Sequence, residues 1–484
     1  MIRKTEPTRL RKAQKQKVFS EWRETLPGLS REIDREIARS RKSPNALHSD
    51  RHVDKWIAAR LSEPELRVRT VSLVDMKGWR IEAESGNISH ESGRFFTITG
   101  AYVRHRTPAG ELEWDQPAID QADVGILGIL AKKIGGIMHF CLQAKEEPGN
   151  INSVQLSPTV QATFSNYSLV HGGSPPEFLQ YFIGGTGGRI IYSKLQTEDG
   201  GRFLFKSNRN MIVQVDDGEQ DFLPDGFIWL TLRQISRLLS RDNLIHACTR
   251  SILAALVTDV KPDHLPVGQG GAAGIAGSIA ETVQWLDDQK ACNHLLVKRC
   301  PLAGLKEWSM DRDGSFSHEE GRFFRVIGIE VESNKREVST WSQPILDNPG
   351  SGIIGLLTRV HKGVRYILVQ AKVEPGNRGI VQIGPTVQFT AANYIGNPKL
   401  TKPFLFDEFY RNGRFPLLSE SMQSEEGARF FSEAHLHRIL ALPDGVELDL
   451  PPDFRWVSQA DLHLYVHMGE MVNSCARSAL SLML

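Results

Sequence analysis

Cysteine is scarce in this sequence. Five cysteines stand among 484 residues, and no two share a CxxC spacing. An odd, scattered set argues against a disulfide framework. It predicts reduced thiols, a cytoplasmic setting and no structural zinc site. Cys248 and Cys475 fall inside apolar helical stretches, where core packing is expected. Long apolar runs are missing as well. No stretch reaches the ~20 apolar residues that a membrane-spanning helix requires, so no membrane association is expected. A surplus of either charge is also lacking. Lys and Arg number 58 against 57 Asp and Glu, for a formal net charge of +1. Nothing global draws such a chain to nucleic acid or to an anionic surface. The opening residues MIRKTEPTRLRKAQKQK are basic with no apolar segment behind them, so they predict no secretory leader.

What the sequence has is a stretch written twice. QAKEEPGNINSVQLSPTVQATFSNY runs from Gln143 to Tyr167, and QAKVEPGNRGIVQIGPTVQFTAANY runs from Gln370 to Tyr394. The copies lie 227 residues apart without a gap, which means a duplicated domain rather than a solenoid of small units. Within each copy the residues alternate. Gln143, Lys145 and Glu147 share one face, and Leu142 and Ala144 the other, the period of a strand. Pro-Gly-Asn makes a turn. Beyond it Gln155, Thr159, Gln161 and Thr163 form a polar row, with Pro158 at an edge or bulge. Such a row reads either as a solvated face or as a site; its recurrence in both copies favours the site.

The same displacement organises the rest. ISHESGRFF at 88 matches FSHEEGRFF at 316, WDQP at 114 matches WSQP at 341, and EDGGRF at 198 matches EEGARF at 425. Trp56 corresponds to Trp285 on a helix start, and Trp229 to Trp456. Each copy closes with a helix pair. The expected organisation is an N-terminal helical extension over 1–50, a first repeat over 51–260, a Gly/Ala-rich linker over 261–280 and a second repeat over 281–484. In the extension, Phe19, Trp22, Leu26, Leu29, Ile33 and Ile37 mark amphipathic helices. Each repeat is expected to be α+β, a mixed sheet covered by helices.

The doubled QAKxEPGN and PTVQ block resembles the nucleotide-sugar 2,3-dehydratases of deoxysugar biosynthesis. So do the paired GRFF segments, NRNMIVQVD at 208–216 and WLTLRQISRLL at 229. The resemblance spans about residues 50 to 484. It implies two duplicated Nudix-like modules and a homodimer. The REx2Ex2GU cluster of a Nudix pyrophosphatase is absent from the sequence, which disfavours that metal-dependent hydrolysis. The implied substrate is a dTDP-linked 4-keto-6-deoxyhexose, with no cofactor. The implied reaction removes the C2 hydroxyl and the C3 proton to give a 3,4-diketo-2,6-dideoxy sugar, which a separate 3-ketoreductase then reduces. The alternative is a catalytically silent nucleotide-sugar binding protein of the same fold.

That chemistry needs a base for the C3 proton, a donor to the enolate oxygen, an acid for the leaving hydroxyl and cations for the diphosphate. The residues expected to act on the substrate are Lys145, Glu147, Tyr167, Lys372, Glu374 and Tyr394. A Lys–Glu pair on one strand face supplies base and electrophile, or is a surface ion pair of little weight. The tyrosines donate to the substrate or pack. The expected substrate-binding set is Arg94, Trp114, Gln143, Asn150, Gln161, Asn166, Arg202 and Asn210 in the first repeat. In the second it is Arg322, Trp341, Gln370, Asn377, Gln388, Asn393 and Arg429. Structural salt bridges, turn geometry and core packing are the competing readings of those arginines, asparagines and tryptophans. His90 and His318 read more readily as structural. The repeats differ at Asn208 and Asn210, which become His435 and His437, at Asn243, which becomes Glu470, and at Glu146, which becomes Val373. These differences favour an active pocket in the first repeat.

Overall fold

A computed structural model describes residues 31–163, 175–184, 187–216, 223–258, 279–334, 338–398, 400–411 and 413–484. Asn166, Tyr167, the 261–278 segment and Phe19 to Leu29 lie outside the described residues. The apolar run at 126–134 and the alternating run after it become the two central strands of a seven-stranded sheet. Its order is Arg189–Thr197, Ser207–Val215, Ile126–Ile134, Ile137–Glu146, Phe227–Thr231. Val154–Pro158 adds to Ile137–Glu146, and Val160–Ala162 to Ile126–Ile134. Ser207–Val215 runs parallel to Ile126–Ile134 and its neighbours pair antiparallel, so the sheet is mixed. The second repeat builds its own seven-stranded sheet, with Gly352–His361 parallel to Ala434–Ala441 at its centre.

Helices join the two large sheets. Leu232–Leu239 and Ala247–Leu253 close the first repeat, and Gln459–Met468 and Ser474–Ser481 close the second. One continuous apolar core takes Leu127, Ile129 and Ile212 from one sheet, Ile354, Leu356 and Ile439 from the other, and Ile252 and Leu480 from the helices between. Each such side chain contributes roughly 1.5–3 kcal/mol by leaving water. The helix Arg31–Lys42 buries Ile33 and Ile37 against this core, and Ser40 donates to the Met138 carbonyl. Among the described residues no helix is long and apolar enough to cross a membrane.

The two smaller sheets are built by exchange. Leu66–Val71 of the first repeat pairs with Arg325–Ser333 of the second. His294–Cys300 of the second pairs with Thr97–Thr107 of the first. Each repeat thus gives its opening strand to the other. Further contacts come in the reciprocal pairs that an approximate twofold between repeats requires. Trp79 donates its indole N–H to the Ser342 carbonyl at 2.7 Å, and Trp308 donates to Asp115 at 3.1 Å. Arg250 donates to the Ser478 hydroxyl at 2.8 Å, and Arg477 to Ser251 at 2.9 Å. Both guanidiniums are buried, and backbone carbonyls satisfy them further: Ile245 and Ser424 for Arg250, Val472 and Thr197 for Arg477.

Candidate active site

The Pro-Gly-Asn turn after each Lys–Glu pair is pressed against the other repeat. Gly149 N donates to Gly427 O at 2.7 Å, and Ser432 N donates to Gly149 O at 2.8 Å. Gly376 N and O meet Gly200 and Phe205 in the same way, at 2.7 and 2.8 Å. A Cβ on Gly149 would collide with the Phe430 carbonyl, and one on Gly376 with the Phe203 carbonyl. Only glycine permits so close a backbone approach. The turn over Glu425–Phe430 of the second repeat therefore walls the first Lys–Glu pair, and Glu198–Phe203 walls the second.

At the first site, Lys145 and Glu147 leave the same strand face and meet, Nζ to Oε1, at 3.3 Å. Glu147 is 6% exposed, so this is no surface ion pair. Its carboxylate also accepts from Gln161 Nε2 at 3.1 Å, His246 Nε2 at 2.8 Å and the Ala428 N–H at 3.0 Å. Burial works against its charge. His246 and Lys145 outweigh burial and hold Glu147 well below the ordinary carboxylate range. His246 caps the helix Ala247–Leu253. The Cys248 N–H donates to its Nδ1 at 3.2 Å, which leaves Nε2 carrying the proton towards Glu147. Gln161 is the hinge of the cluster. Its Nε2 is shared between Glu147 and Glu426 Oε1 at 3.3 Å, and its Oε1 accepts from Lys145 Nζ at 2.8 Å. The Lys145 side chain keeps 25% exposure and so has a free flank.

The second site has the same Lys–Glu pair but not the same geometry. Asn473 stands where the first repeat has His246. Its Nδ2 donates to Gln388 Oε1 at 3.1 Å, the oxygen whose counterpart holds the first-site lysine. Glu374 accepts from Gln388 at 2.9 Å and Asn377 at 2.8 Å. Among the described residues no ion pair joins it to Lys372. Burial and the nearby Asp199 push Glu374 upward, and Lys372 only partly offsets them. The first carboxylate is therefore stabilised charged and the second towards its neutral form.

The remaining candidates divide by place. Arg429 and Arg202 cross between repeats and lie 4.1 Å over the Phe96 and Phe324 rings respectively. Each has a buried Nε without a hydrogen-bond partner among the described residues. Arg429 faces the first site, with Glu426 and Glu147 near enough to act on it electrostatically. Gln143 is half-buried on the Lys145 strand face, and Gln370 donates to Asp453 at 2.9 Å. Asn150 shapes its turn, donating to the Ser153 carbonyl at 2.8 Å. Trp114 and Trp341 hydrogen-bond Gln116 and Gln343 at 3.2 and 3.1 Å. Arg94 is exposed, and Arg322 reaches Ile395 O at 3.4 Å and pairs with Glu320. Asn210 is buried and donates to Ser251 at 2.9 Å. Asn393 and Tyr394 sit on the short helix Ala391–Tyr394, and the Tyr394 ring joins Phe389 and Phe406. His90 and His318 pack edge-on against Trp79 and Trp308. Sequence reading missed His246, Glu426 and the Ala428 N–H. His246 falls among several positions at which the two closing segments differ, and nothing in the sequence singles it out from them.

Fold and site define a class: a duplicated α+β protein with mixed sheets, in which each half carries a buried lysine–carboxylate cluster closed by a turn of the other half. The chain belongs to the NDP-hexose 2,3-dehydratase family, whose model matches residues 50–256 and 279–483. It is similar to the dTDP-4-dehydro-6-deoxy-alpha-D-glucopyranose 2,3-dehydratase of Saccharopolyspora spinosa, at 38% identity over 435 residues, 87% of this chain and 89% of the relative. The enzyme of the same description from Amycolatopsis orientalis is 39% identical over 434 residues, 89% of each chain. That from Streptomyces violaceoruber is 37% identical over 429 residues, 88% and 95% of the two.

Proposed function

We propose that this protein is a carbon–oxygen hydro-lyase that converts dTDP-4-keto-6-deoxy-D-glucose to a 3,4-diketo-2,6-dideoxy sugar nucleotide. The observation that carries this reading is the first-repeat cluster of Lys145, Glu147, Gln161 and His246, in a chain of this family. The 4-keto group acidifies the C3 proton, and charge develops on O4 as that proton leaves. The Lys145 ammonium, clamped between Gln161 Oε1 and Glu147 Oε1, is suited to donate to that oxygen. Four donors converge on Glu147, and a carboxylate so satisfied serves better to hold Lys145 than to take a proton. Arg429, with its unpaired Nε, is suited to the diphosphate. The elimination loses only water and needs no redox partner.

The chemistry belongs to the first repeat in this reading, because the second-site glutamine oxygen is taken by Asn473 rather than by lysine. The wider reading comprises Nudix-like modules, a cytoplasmic homodimer and a 3-ketoreductase acting next; it rests on the family resemblance. The direct test incubates purified protein with dTDP-4-keto-6-deoxyglucose and a chelator, and follows the sugar nucleotide by mass. Loss of one water, or release of dTDP as the diketo sugar decomposes, is the expected outcome. Unchanged substrate that nevertheless binds would favour the silent binding protein instead.

A further inference from the structure

The first-site cluster has an electrophile and an anchor but no evident acid. The Glu147 carboxylate is held charged, and the one proton that His246 presents, on Nε2, is committed to it. Loss of the C2 hydroxyl still needs a proton, because hydroxide is a poor leaving group.

We propose that Glu426, carried by the second repeat, is the acid that protonates the departing C2 hydroxyl at the first-repeat site. Its Oε1 accepts from the same Gln161 Nε2 that binds Glu147, so the two carboxyls flank a single amide. The residue is half-buried and lines a partly open cavity of about 40 Å³ between the repeats. Glu198, Asp199, Glu425 and Arg250 also line this cavity, which has room for water and therefore for resupply of the proton. Burial pushes the Glu426 carboxyl up, and the Glu147 charge pushes it further, while Arg429 offsets part. Two neighbouring carboxyls driven in opposite directions form the pattern of an acid beside a permanent anion. The second site differs. Asp199 replaces Glu426, one methylene shorter, and there the strand carboxyl Glu374 is the one pushed up. A raised turn carboxyl beside a strand carboxylate held charged is thus the arrangement of the first site.

The step balances. A base removes the C3 proton, and the C–H electron pair becomes the enolate of the 4-keto group. The enolate re-forms the carbonyl and expels the C2 oxygen with its bonding pair, making the C2–C3 double bond. The oxygen takes the Glu426 proton and leaves as water, and Glu426 remains as carboxylate. This role rests on the dehydratase reading, and the experiment separates the two.

Wild type and Glu426→Gln are each given dTDP-4-keto-6-deoxyglucose in D2O, with C3 deuteration and water loss followed together. Turnover by wild type tests the dehydratase reading alone. For the variant, elimination is expected to fall about 10²–10⁴-fold while C3 exchange persists. A 2-deoxy-2-fluoro analogue gives the second readout, since fluoride departs without protonation. The variant should release fluoride at close to the wild-type rate. Elimination of water at the wild-type rate by the variant would overturn the proposal. So would loss of exchange without rescue by fluoride, which marks a structural residue. A wild type that neither exchanges nor eliminates would remove the dehydratase reading and this role with it.

Discussion

At the scale of single residues, two glutamines at equivalent places have different partners. Gln161 offers its oxygen to Lys145, whereas Gln388 offers its oxygen to Asn473. The cause lies at the cap of the closing helix, where His246 reaches past the glutamine to the carboxylate at 2.8 Å, whereas Asn473 bonds the glutamine at 3.1 Å and meets the carboxylate only at 3.5 Å. His246→Asn should redirect Gln161 and release Lys145. The expected kcat falls about 10²–10³-fold, the range for loss of one oriented donor to a developing oxyanion. KM should hold, because His246 is fully buried behind Glu147; an unchanged kcat would remove His246 from the mechanism. The double variant Lys145→Ala with Glu147→Ala should abolish turnover, and Lys372→Ala with Glu374→Ala should leave it. Equal residual activity in the two, measured on the same substrate, would reject the assignment to the first repeat. Lys145, Glu147 and Gln161 were legible in the sequence because alternation put them on one face and duplication repeated them. His246 was not, because it belongs to the set that duplication failed to keep. Glu426 was not, because nothing local ties a turn near 426 to a strand near 145.

At the scale of elements, the strands were readable and their partners were not. Leu66 and Val68, and likewise Leu295 and Val297, alternate with more exposed neighbours as strand residues should, but alternation is silent about which sheet receives them. Exchange is visible only in the pairing of Val68 with Val331 and of Val297 with Val103. The entry to the first exchanged strand is held by Glu146, whose carboxylate accepts from Glu65 N at 2.8 Å and Leu66 N at 2.9 Å. Val373, the counterpart of Glu146, has no carboxylate to offer. The turns make the tighter joint. Gly149→Ala would set a methyl against the Phe430 carbonyl and should cost about 1–3 kcal/mol or more, read as a lower denaturation midpoint. Because that turn also positions Glu147 against the Ala428 N–H, activity should fall in the folded variant as well. A variant as stable and active as wild type would show that the turns can part without consequence.

At the scale of the whole molecule, stability should depend on buried groups titrating in opposite directions. Burial first, and Lys194 in addition, depress His467 to about 4, partly offset by its bond to the Ala255 carbonyl. A depressed histidine contributes stability above its unfolded value, near 6.5, and loses it as pH falls through the folded value. His467 alone should therefore withdraw about 3 kcal/mol between pH 7 and pH 4. His467→Gln should flatten the acid limb of denaturant-derived stability, and an unaltered limb would contradict this. Glu374, Glu425 and Glu426 are raised by burial, so their contribution runs the other way, present in acid and lost as pH rises through their folded values. Reciprocal strands, reciprocal turns and the crossed Arg250 and Arg477 also predict that neither half folds alone. Segments 31–258 and 279–484, produced together, should co-purify and regain activity, while either one alone should be unfolded by circular dichroism. The exchange of turns has a consequence for heredity. A duplicated gene usually frees one copy to decay once the other suffices. Here the second copy is the wall of the first copy's chamber, so it can lose its own chemistry and still be kept under selection. Hybrids that join the front half of one relative to the back half of another would mix floor and wall from different lineages, and should be poor catalysts even when both parents are good.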